Sequence, residues 1–271
     1  MDKTDLGDRM KLYEQAEAGQ SLMPQLPICA RVDGRCFSKF TRNMQRPFDT
    51  DMHNAMVITA KHLIAEMNAC VAYTQSDEIN IIMYSNNYRS QLLFEGRIHK
   101  TVSILASIAS LRFNQAAETY LKEHLNQDDP PMFDCRVWNV PNLEEAANLM
   151  LWREKDAARN SISMAARTMY SHKQLQGKSS KEMQEMMFQS GQNWNDYPTW
   201  AKRGTFIIRK KVTKKFTPEE LAKIPERHRP DPDETRERTE YTQMEMPSFT
   251  KITNRVDVLF NGAEPIEIET P

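Results

Sequence analysis

The stretch "AYTQSDEINIIMY", residues 72–84, places two adjacent carboxylates, Asp77 and Glu78, between runs of mainly apolar side chains. The runs "ACVAY" and "EINIIMY" are typical of strands, and "TQSD" is typical of the turn between them. Charges beside a core are costly unless something compensates them. The stretch therefore predicts a β-hairpin whose carboxylates have a partner elsewhere.

The segments around this hairpin predict an α+β fold. Residues 28–33, "ICARVD", alternate apolar side chains as a strand does, and residues 51–67 place apolar side chains on one helical stripe. A second long helix is predicted over residues 97–125 and a fourth strand over residues 133–140. This order of elements is typical of an antiparallel sheet with helices on one face.

The second half of the chain is predicted to be more helical at first. A long helical pattern covers residues 142–172, and "TFIIRKKV" at residues 205–212 is typical of a late strand. From about residue 216 the sequence is rich in proline and charge. That composition predicts an extended, partly mobile segment.

Composition excludes several classes of protein. The 271 residues carry a net charge of −1 and 27% charged side chains, an ordinary globular balance. No apolar run is long enough to span a membrane, and the polar N-terminus lacks a secretory signal, so we expect a soluble cytoplasmic protein. The four cysteines have no C-x-x-C spacing, which disfavours a zinc site and suits a reducing compartment.

Two carboxylates are candidates for a metal site. Asp33 ends the first predicted strand and Asp77 lies in the hairpin turn, so both would emerge at one end of the sheet if the strands are neighbours. Mg²⁺ prefers oxygen ligands, and a pair of ions can stabilise phosphoryl transfer. Gly34 allows close backbone approach, so its carbonyl is a further candidate ligand. Spacing alone leaves the alternative open, because both sequences are also common in solvated turns.

The segments "RVDGRCFSKF", "AYTQSDEINIIMY" and "GRIHK" together resemble the tRNA-His guanylyltransferase family and its 3′-to-5′ polymerase-like relatives. The later segments "FDCRVWNVP", "WREKDAARN", "LQG" and "YPTWAKRGTFIIRKK" follow in the family's order, so the resemblance covers about residues 28–212. It implies a catalytic core at residues 1–135 that is similar to a polymerase or cyclase palm. Residues 136–271 would form a more helical C-terminal region packed on that core.

The resemblance implies a nucleotidyltransferase that adds nucleotides to the 5′ end of tRNA in the 3′-to-5′ direction. The 5′-phosphate is activated with ATP or GTP, and the 3′-hydroxyl of an incoming nucleoside triphosphate then attacks it. The implied catalytic residues are Asp33, Asp77 and Glu78, and the implied ligands of two Mg²⁺ ions are Asp33, Gly34 and Asp77. Relatives are homotetramers in which tRNA crosses between subunits, so the same assembly is expected.

The resemblance also implies residues that bind the nucleotides. Arg97 and Lys100 match the family's R-x-x-K at the start of a helix, and Arg46 stands where relatives commonly have a lysine. A helix N-terminus itself favours phosphate. The implied nucleotide-binding residues are Arg31, Gly34, Arg35, Arg46, Ser76, Arg97, Lys100 and Asn193.

The segment "KRGTFIIRKKVTKK" is a candidate surface for the tRNA backbone, because phosphate contacts dominate nucleic-acid affinity. The candidate contacts are Lys202, Arg203, Arg209, Lys210 and Lys211. The alternative is a solvated strand edge, where lysines prevent edge-to-edge pairing. The four tryptophans, Trp138, Trp152, Trp194 and Trp200, are expected to anchor packing rather than stack on bases.

One segment departs from the family. Guanylyltransferases that serve tRNA-His carry an H-I-N-N-L-Y-N run where this chain has "ARNSISM", residues 158–164, and Asn160 alone agrees. The loss favours template-dependent repair of tRNA 5′ ends over the alternative, a dedicated tRNA-His guanylyltransferase. Two other classes stay open: a nucleotidyl cyclase and a non-catalytic RNA-binding protein on a palm fold. The intact carboxylates argue against the last.

Overall fold

The computed structural model describes residues 5–231 and 233–268. The strands of these residues are β1 (Ile28–Arg35), β2 (Val71–Gln75), β3 (Glu78–Met83), β4 (Met132–Asn139), β5 (Thr205–Lys215) and β6 (Thr235–Met244). They form one sheet in the order β4-β1-β3-β2-β5-β6, and every neighbouring pair is antiparallel. The helices are α1 (Asp5–Ala18), α2 (Phe37–Phe40), α3 (Thr50–Glu66), α4 (Ile98–Tyr120), α5 (Leu143–Arg167), α6 (His172–Leu175), α7 (Ser180–Gln189), α8 (Thr199–Arg203) and α9 (Pro218–Lys223).

One face of the sheet is covered by α3 and α4. Alternate residues of the central strands, such as Val32 and Ile81, point into this layer and are fully buried beside Leu63 of α3 and Phe113 of α4. Asp49 caps α3 by accepting a hydrogen bond from the Met52 backbone N–H at 2.9 Å. The predicted α+β class, with helices packed on an antiparallel sheet, is confirmed.

The other face of the sheet is covered by α5 and the segment that follows β6. Tyr73 and Ile82 of the sheet pack there with Met150 of α5 and with Phe249. Glu154 of α5 is 2% exposed, and both of its carboxylate oxygens accept from the Phe249 backbone N–H at 3.0 Å. The C-terminal half therefore supplies the second layer. The predicted boundary at residue 135 falls inside β4, so both halves share one sheet.

The segment after residue 216, predicted to be extended and partly mobile, contains an extended strand, β6, that the sequence analysis did not identify. This strand pairs with β5 from Phe206↔Met244 to Lys215↔Thr235. Acidic side chains of β6 pair with lysines of β5, as in Lys211–Glu237 at 2.8 Å and Lys214–Glu240 at 2.5 Å. Cross-strand pairs of opposite charge stabilise a sheet. No helix of the described residues is long and apolar enough to cross a membrane.

Replacing Gly204 by alanine should destabilise the fold. Gly204 has φ 75° and ψ −170°, a conformation essentially restricted to glycine, and a Cβ there would lie 2.7 Å from the Thr74 carbonyl oxygen. We expect the free energy of unfolding in urea to fall by about 2 kcal/mol or more. Gly191→Ala is the control, because Gly191 also has positive φ but has no atom within 4 Å of the added Cβ. Equal losses in the two variants would contradict the role of the close contact.

Candidate active site

The two candidate carboxylates lie next to each other where β1 ends and β3 begins. Asp33 is in register with Glu78 on the neighbouring strand, and the Gly34 N–H donates to the Asp77 carbonyl oxygen at 3.0 Å. The sequence left open whether the strand of Asp33 lies beside the hairpin of Asp77, and the structure places it beside the second strand of that hairpin, β3. The same register places Asp134 of β4 on the other side of Asp33.

Gly34 is required by the packing beneath it. A Cβ on this residue would lie 2.4 Å from Cδ2 of the Phe37 ring, closer than real Cβ contacts allow. The Phe37 ring is itself held by Phe113 and Phe133, with ring centroids 5.3 and 4.9 Å away. Because glycine lets the backbone approach this ring, the aromatic cluster fixes the position of the peptide that follows Asp33.

The hairpin that carries Asp77 has a two-residue loop, Ser76-Asp77. Ser76 adopts φ 53°, in the left-handed region, which costs a non-glycine residue roughly 1–2 kcal/mol. Such strained conformations persist where the surrounding fold over-determines them, and they cluster at functional sites. The loop is therefore held in one shape between the two strands.

Both carboxylates lie in an environment that disfavours their ionised forms. Burial raises the pKa of Asp33, and the nearby charges of Glu78 and Asp134 raise it further. Burial also raises the pKa of Asp77, which is opposed by hydrogen bonds from its own backbone and from Ser76. Among the described residues, no basic side chain pairs with Asp33 or Asp77 within 4.0 Å. A cation from outside the chain would therefore relieve this cost.

The donor atoms fit Mg²⁺. Asp33 and Asp77 offer carboxylate oxygens, and Gly34 beside them offers a backbone carbonyl. Within the described part of the chain, no group of three or more His, Cys, Asp or Glu could hold a metal. Mg²⁺ commonly takes one or two carboxylates and completes its coordination with water and substrate phosphates. The site therefore suits an ion that arrives together with phosphate.

Glu78 is compensated by the protein itself. Its two carboxylate oxygens accept from Nε and Nη2 of Arg153, both at 2.6 Å, and one of them also accepts from Asn80 at 2.6 Å. The resemblance implied a catalytic contribution from Glu78, and the structure gives this carboxylate a buried arginine as its partner. Sequence analysis missed Arg153, which lies 75 residues away on α5. The "WREKD" segment was the signal that could have identified it.

Two clefts meet at the hairpin loop. The first contains Asp33, Asp77, Glu78 and Arg153, together with Asn160, Ser163, Met164 and Arg167 of α5. The second, with about 690 Å³ of space partly open to solvent, is lined by residues that include Arg46, Phe48, Asp49, His53 and Trp200. Gln75, Ser76 and Met164 line both clefts. Ser76 and Arg46, two of the implied nucleotide-binding residues, are thus brought to one continuous surface with the carboxylates.

Arg97 and Lys100 lie at the opposite end of the sheet within one copy of the chain. β3 runs from Glu78 to Met83, a span of roughly 17 Å, before the chain turns back into α4. The start of α4 lies beside Met83, as Thr101 and Met83 line the same pocket. The sequence placed both cations after the hairpin but did not show that β3 would carry them away from the carboxylates.

The remaining implied nucleotide-binding residues differ in position. Arg31 shares a sheet face with Asp33, and Arg35 ends β1 as an exposed residue. Asn193 lines neither cleft, and its side chain accepts from the Asn195 backbone N–H at 3.0 Å at the start of a short turn. Their contacts with nucleotide stay predictions.

The basic segment contains many compensated charges. Arg203 lies 3.6 Å from the buried Glu154, and Arg209 donates to the Asn68 carbonyl at 2.9 Å. In β5, Lys210 lies 3.9 Å from Glu264 and Lys211 pairs with Glu237, while Lys202 of α8 donates to the Asn195 carbonyl. Neighbouring carboxylates therefore compensate part of the positive charge of this segment. Its contact with tRNA stays a prediction.

The family model described as tRNAHis guanylyltransferase matches residues 7–141. An uncharacterized protein of Acanthamoeba polyphaga mimivirus is 31% identical over 77% of this chain and 78% of its own length. The tRNA(His) guanylyltransferase of Saccharomyces cerevisiae is 28% identical over 72% of this chain and 88% of its own length.

Two solved structures that resemble this chain are also of tRNA(His) guanylyltransferase-like proteins. A bacterial tRNA(His) guanylyltransferase-like protein in complex with ATP superposes with a TM-score of 0.70 at 39% identity, covering 75% of this chain and 88% of that one. A bacterial protein of the same description, in complex with GTP, has a TM-score of 0.70 at 30% identity. The match covers 92% of this chain and 95% of that one.

Asp77→Asn should stabilise the protein when divalent cations are absent. The folded-state pKa of Asp77 is raised, so the ionised carboxylate at neutral pH favours the unfolded chain, and a neutral amide removes that penalty. We expect the melting temperature at pH 7 in EDTA to rise by a few degrees, measured by differential scanning calorimetry. Asp128→Asn, at an exposed position, is the control and should change nothing. A lower melting temperature for Asp77→Asn would contradict the electrostatic interpretation.

His53 should make stability depend on pH. The imidazole is stacked on Trp200 with ring centroids 4.4 Å apart, and burial lowers its pKa from 6.5 to about 4. Because the folded pKa lies below the unfolded one, stability is lost as the pH falls from about 6.5 towards 4. We expect His53→Phe, which keeps the stack but does not titrate, to lose about 1–2 kcal/mol less between pH 7 and pH 5 in urea unfolding. Identical pH profiles would rule out this contribution.

Proposed function

The chain belongs to the tRNA-His guanylyltransferase family, and from this membership we propose that it extends the 5′ end of tRNA in the 3′-to-5′ direction. It is a nucleotidyltransferase, as its relatives and structural neighbours indicate. The proposed substrates are tRNA and nucleoside triphosphates, with two Mg²⁺ ions as the proposed cofactors. ATP and GTP are bound by the two structural neighbours.

One observation carries the proposal: two carboxylates without a protein cation open onto a cleft that continues into a second, partly apolar pocket. Asp33 and Asp77 would hold Mg²⁺, which supplies stabilisation of the negative charge on a transferred phosphoryl group. The pocket beyond Ser76 combines the aromatic side chains Phe48 and Trp200 with the polar groups of Arg46 and Asp49. That combination suits the base and sugar of a nucleotide.

The chemistry consists of two displacements at phosphorus. In the first, an oxygen of the tRNA 5′-phosphate attacks the α-phosphorus of ATP, a new phosphoanhydride forms, and pyrophosphate leaves. In the second, the 3′-hydroxyl of the incoming nucleoside triphosphate attacks the activated 5′-phosphate, and AMP leaves. A tRNA that already carries a 5′-triphosphate needs only the second displacement.

The residues of the chain position these groups. Ser76, between the two clefts, would contact phosphate through its hydroxyl. Arg46 is exposed at the pocket, and its Nη2 donates to the Thr41 carbonyl at 3.2 Å, which holds the guanidinium near the pocket mouth. Arg keeps the positive charge of the lysine found in relatives but presents it as a planar fork. A contribution of Arg46 to triphosphate binding follows from its charge and place.

Template-dependent repair is the proposed activity, rather than addition of a single guanosine to tRNA-His. The segment that departs from the family, residues 158–164, lies on α5, and Asn160, Ser163 and Met164 of this segment line the carboxylate cleft. Two of these side chains are short and one is apolar and flexible, so they offer few fixed contacts for one particular base. Base pairing with the opposite strand of the acceptor stem would then select the nucleotide.

The position of Arg97 and Lys100 supports a proposed assembly of several copies. Both cations lie at the start of α4, beside the Met83 end of β3, and the carboxylates lie at its other end, roughly 17 Å along the strand. Side chains of arginine and lysine do not bridge that distance within one copy. If these residues bind triphosphate as the resemblance implies, they serve the site of a neighbouring subunit, which is consistent with the proposed homotetramer.

The deciding experiment uses two 5′-monophosphorylated tRNAs, one lacking its first nucleotide and one full-length tRNA-His. Each is incubated with the protein, Mg²⁺, ATP and all four nucleoside triphosphates, and products are resolved on sequencing gels. We expect the missing templated nucleotide to be restored and the product to be absent with Asp77→Asn or with EDTA. Asp128→Asn is the matched control and should act like the unmodified chain.

The other outcomes are equally informative. Addition of one guanosine to tRNA-His alone, without repair of the truncated tRNA, would replace the proposal by the dedicated guanylyltransferase. Absence of extension on both RNAs, even when they carry a 5′-triphosphate, would refute tRNA extension.

A further inference from the structure

Trp152 is the exposed member of the four tryptophans and does not act as the packing anchor expected from sequence. It lies on α5 with 51% of its surface exposed, whereas Trp138, Trp194 and Trp200 are half-buried. A single exposed apolar side chain is ordinary on a protein surface, so exposure alone assigns Trp152 no function. The reason to consider a ligand is its place on α5 directly before Arg153, which lines the carboxylate cleft.

Two guanidinium groups contact the Trp152 ring. The central carbons of Arg31 and Arg153 lie 4.9 and 4.7 Å from the ring centroid. Both arginines also reach the same Glu78 oxygen, at 3.7 Å from Arg31 Nε and 2.6 Å from Arg153 Nε. Glu78 thus links the two arginines beside the ring, and about half of the Trp152 surface stays exposed.

Arg31 has unused hydrogen-bonding capacity at this place. Its Nε and Nη2 atoms are buried and have no hydrogen-bond partner among the described residues. Arg136 of β4 is in register with Arg31, is exposed, and forms no ion pair within 4.0 Å in the described part of the chain. Buried donors without acceptors are rare and indicate a ligand or water that completes them. The cluster thus joins unfilled cationic donors to an exposed aromatic surface.

This cluster adjoins the reacting centre on the side away from the proposed nucleotide pocket. Arg31 and Asp33 are two residues apart on β1 and point to the same sheet face, about 7 Å from each other. The pocket with Arg46 and Trp200 begins beyond Ser76. The reacting phosphates, held at Asp33 and Asp77, would therefore lie between the nucleoside triphosphate on one side and this cluster on the other.

We propose that Trp152, Arg31 and Arg136 bind the 5′-terminal nucleotide of the tRNA acceptor strand. The base stacks on the free surface of Trp152, and oxygens of the sugar–phosphate backbone accept hydrogen bonds from Arg31 and Arg136. Stacking on aromatic side chains tolerates every base, and arginine suits phosphate. Recognition of this kind fits repair of many tRNAs. The inference rests on the proposed function, since it names how that site holds its RNA substrate.

The test compares Trp152→Ala and Trp152→Phe with the unmodified chain. Loss of one stacked base costs about 1–3 kcal/mol, so the KM for truncated tRNA should rise about 10-fold or more in Trp152→Ala. Trp152→Phe should recover most of that loss, and the affinity for ATP with Mg²⁺, from isothermal titration, should be unchanged in both. Tyr88→Ala is the matched control, because Tyr88 is 71% exposed and also stacks with an arginine, Arg89 at 5.5 Å, but follows the far end of β3.

A second measurement does not need turnover. Binding of a 5′-monophosphorylated RNA hairpin should quench the part of the tryptophan fluorescence that Trp152→Phe removes, and ATP with Mg²⁺ alone should not. Quenching by RNA without any extension would support this site while refuting the proposed function.

The contrary results are also separable. Normal extension with an unchanged tRNA KM in Trp152→Ala would overturn the inference and leave the proposed function standing. Quenching by nucleoside triphosphate alone would show that Trp152 contacts the nucleotide and not the RNA. That result would also overturn the inference. Absence of both RNA binding and extension in the unmodified chain would overturn both proposals.

Discussion

The ion pair between Glu78 and Arg153 connects the two layers on which the site depends. Glu78 begins β3, the second strand of the hairpin that carries Asp77, and Arg153 belongs to the helix that lines the cleft. Taking both charges out of water is costly, and the pair is worthwhile only with good geometry and further hydrogen bonds, which Asn80 supplies. Removal of one partner from such a pair commonly costs about 3–5 kcal/mol. The interaction therefore fixes the distance between the carboxylates and α5.

Most of the fold could be predicted from the sequence because the patterns are local. The alternation in residues 28–33 and the helical stripe in residues 51–67 each follow from which side chains face one core layer. The hairpin around Asp77 was also recoverable, since strand-like runs flanked a short polar turn. The neighbouring positions of Asp33 and Asp77 followed once the two strands were taken to pair.

What escaped prediction depends on contacts between distant segments. The charge-rich residues of β6 resemble a mobile tail until their partners on β5 are known. The partner of Glu78 could not be identified from sequence because Arg153 lies on α5, the helix that covers the second face of the sheet. The direction of β3 decided that Arg97 lies far from the carboxylates, and the exposure of Trp152 depends on how α5 meets the sheet. Spacing along the chain carries none of this information.

The aromatic support under Gly34 has a consequence for how this chain tolerates change. Phe37 touches the glycine backbone and packs against Phe40, Phe113 and Phe133, so the carbonyl beside Asp33 rests on a close-packed stack of rings. Protein interiors are nearly incompressible and transmit strain. An exchange within that stack that conserves volume and hardly alters stability would still shift the Gly34 peptide by the mismatch in ring shape. With the Gly34 carbonyl as a metal ligand, as proposed, divergence of the hydrophobic core would be constrained by chemistry as well as by folding.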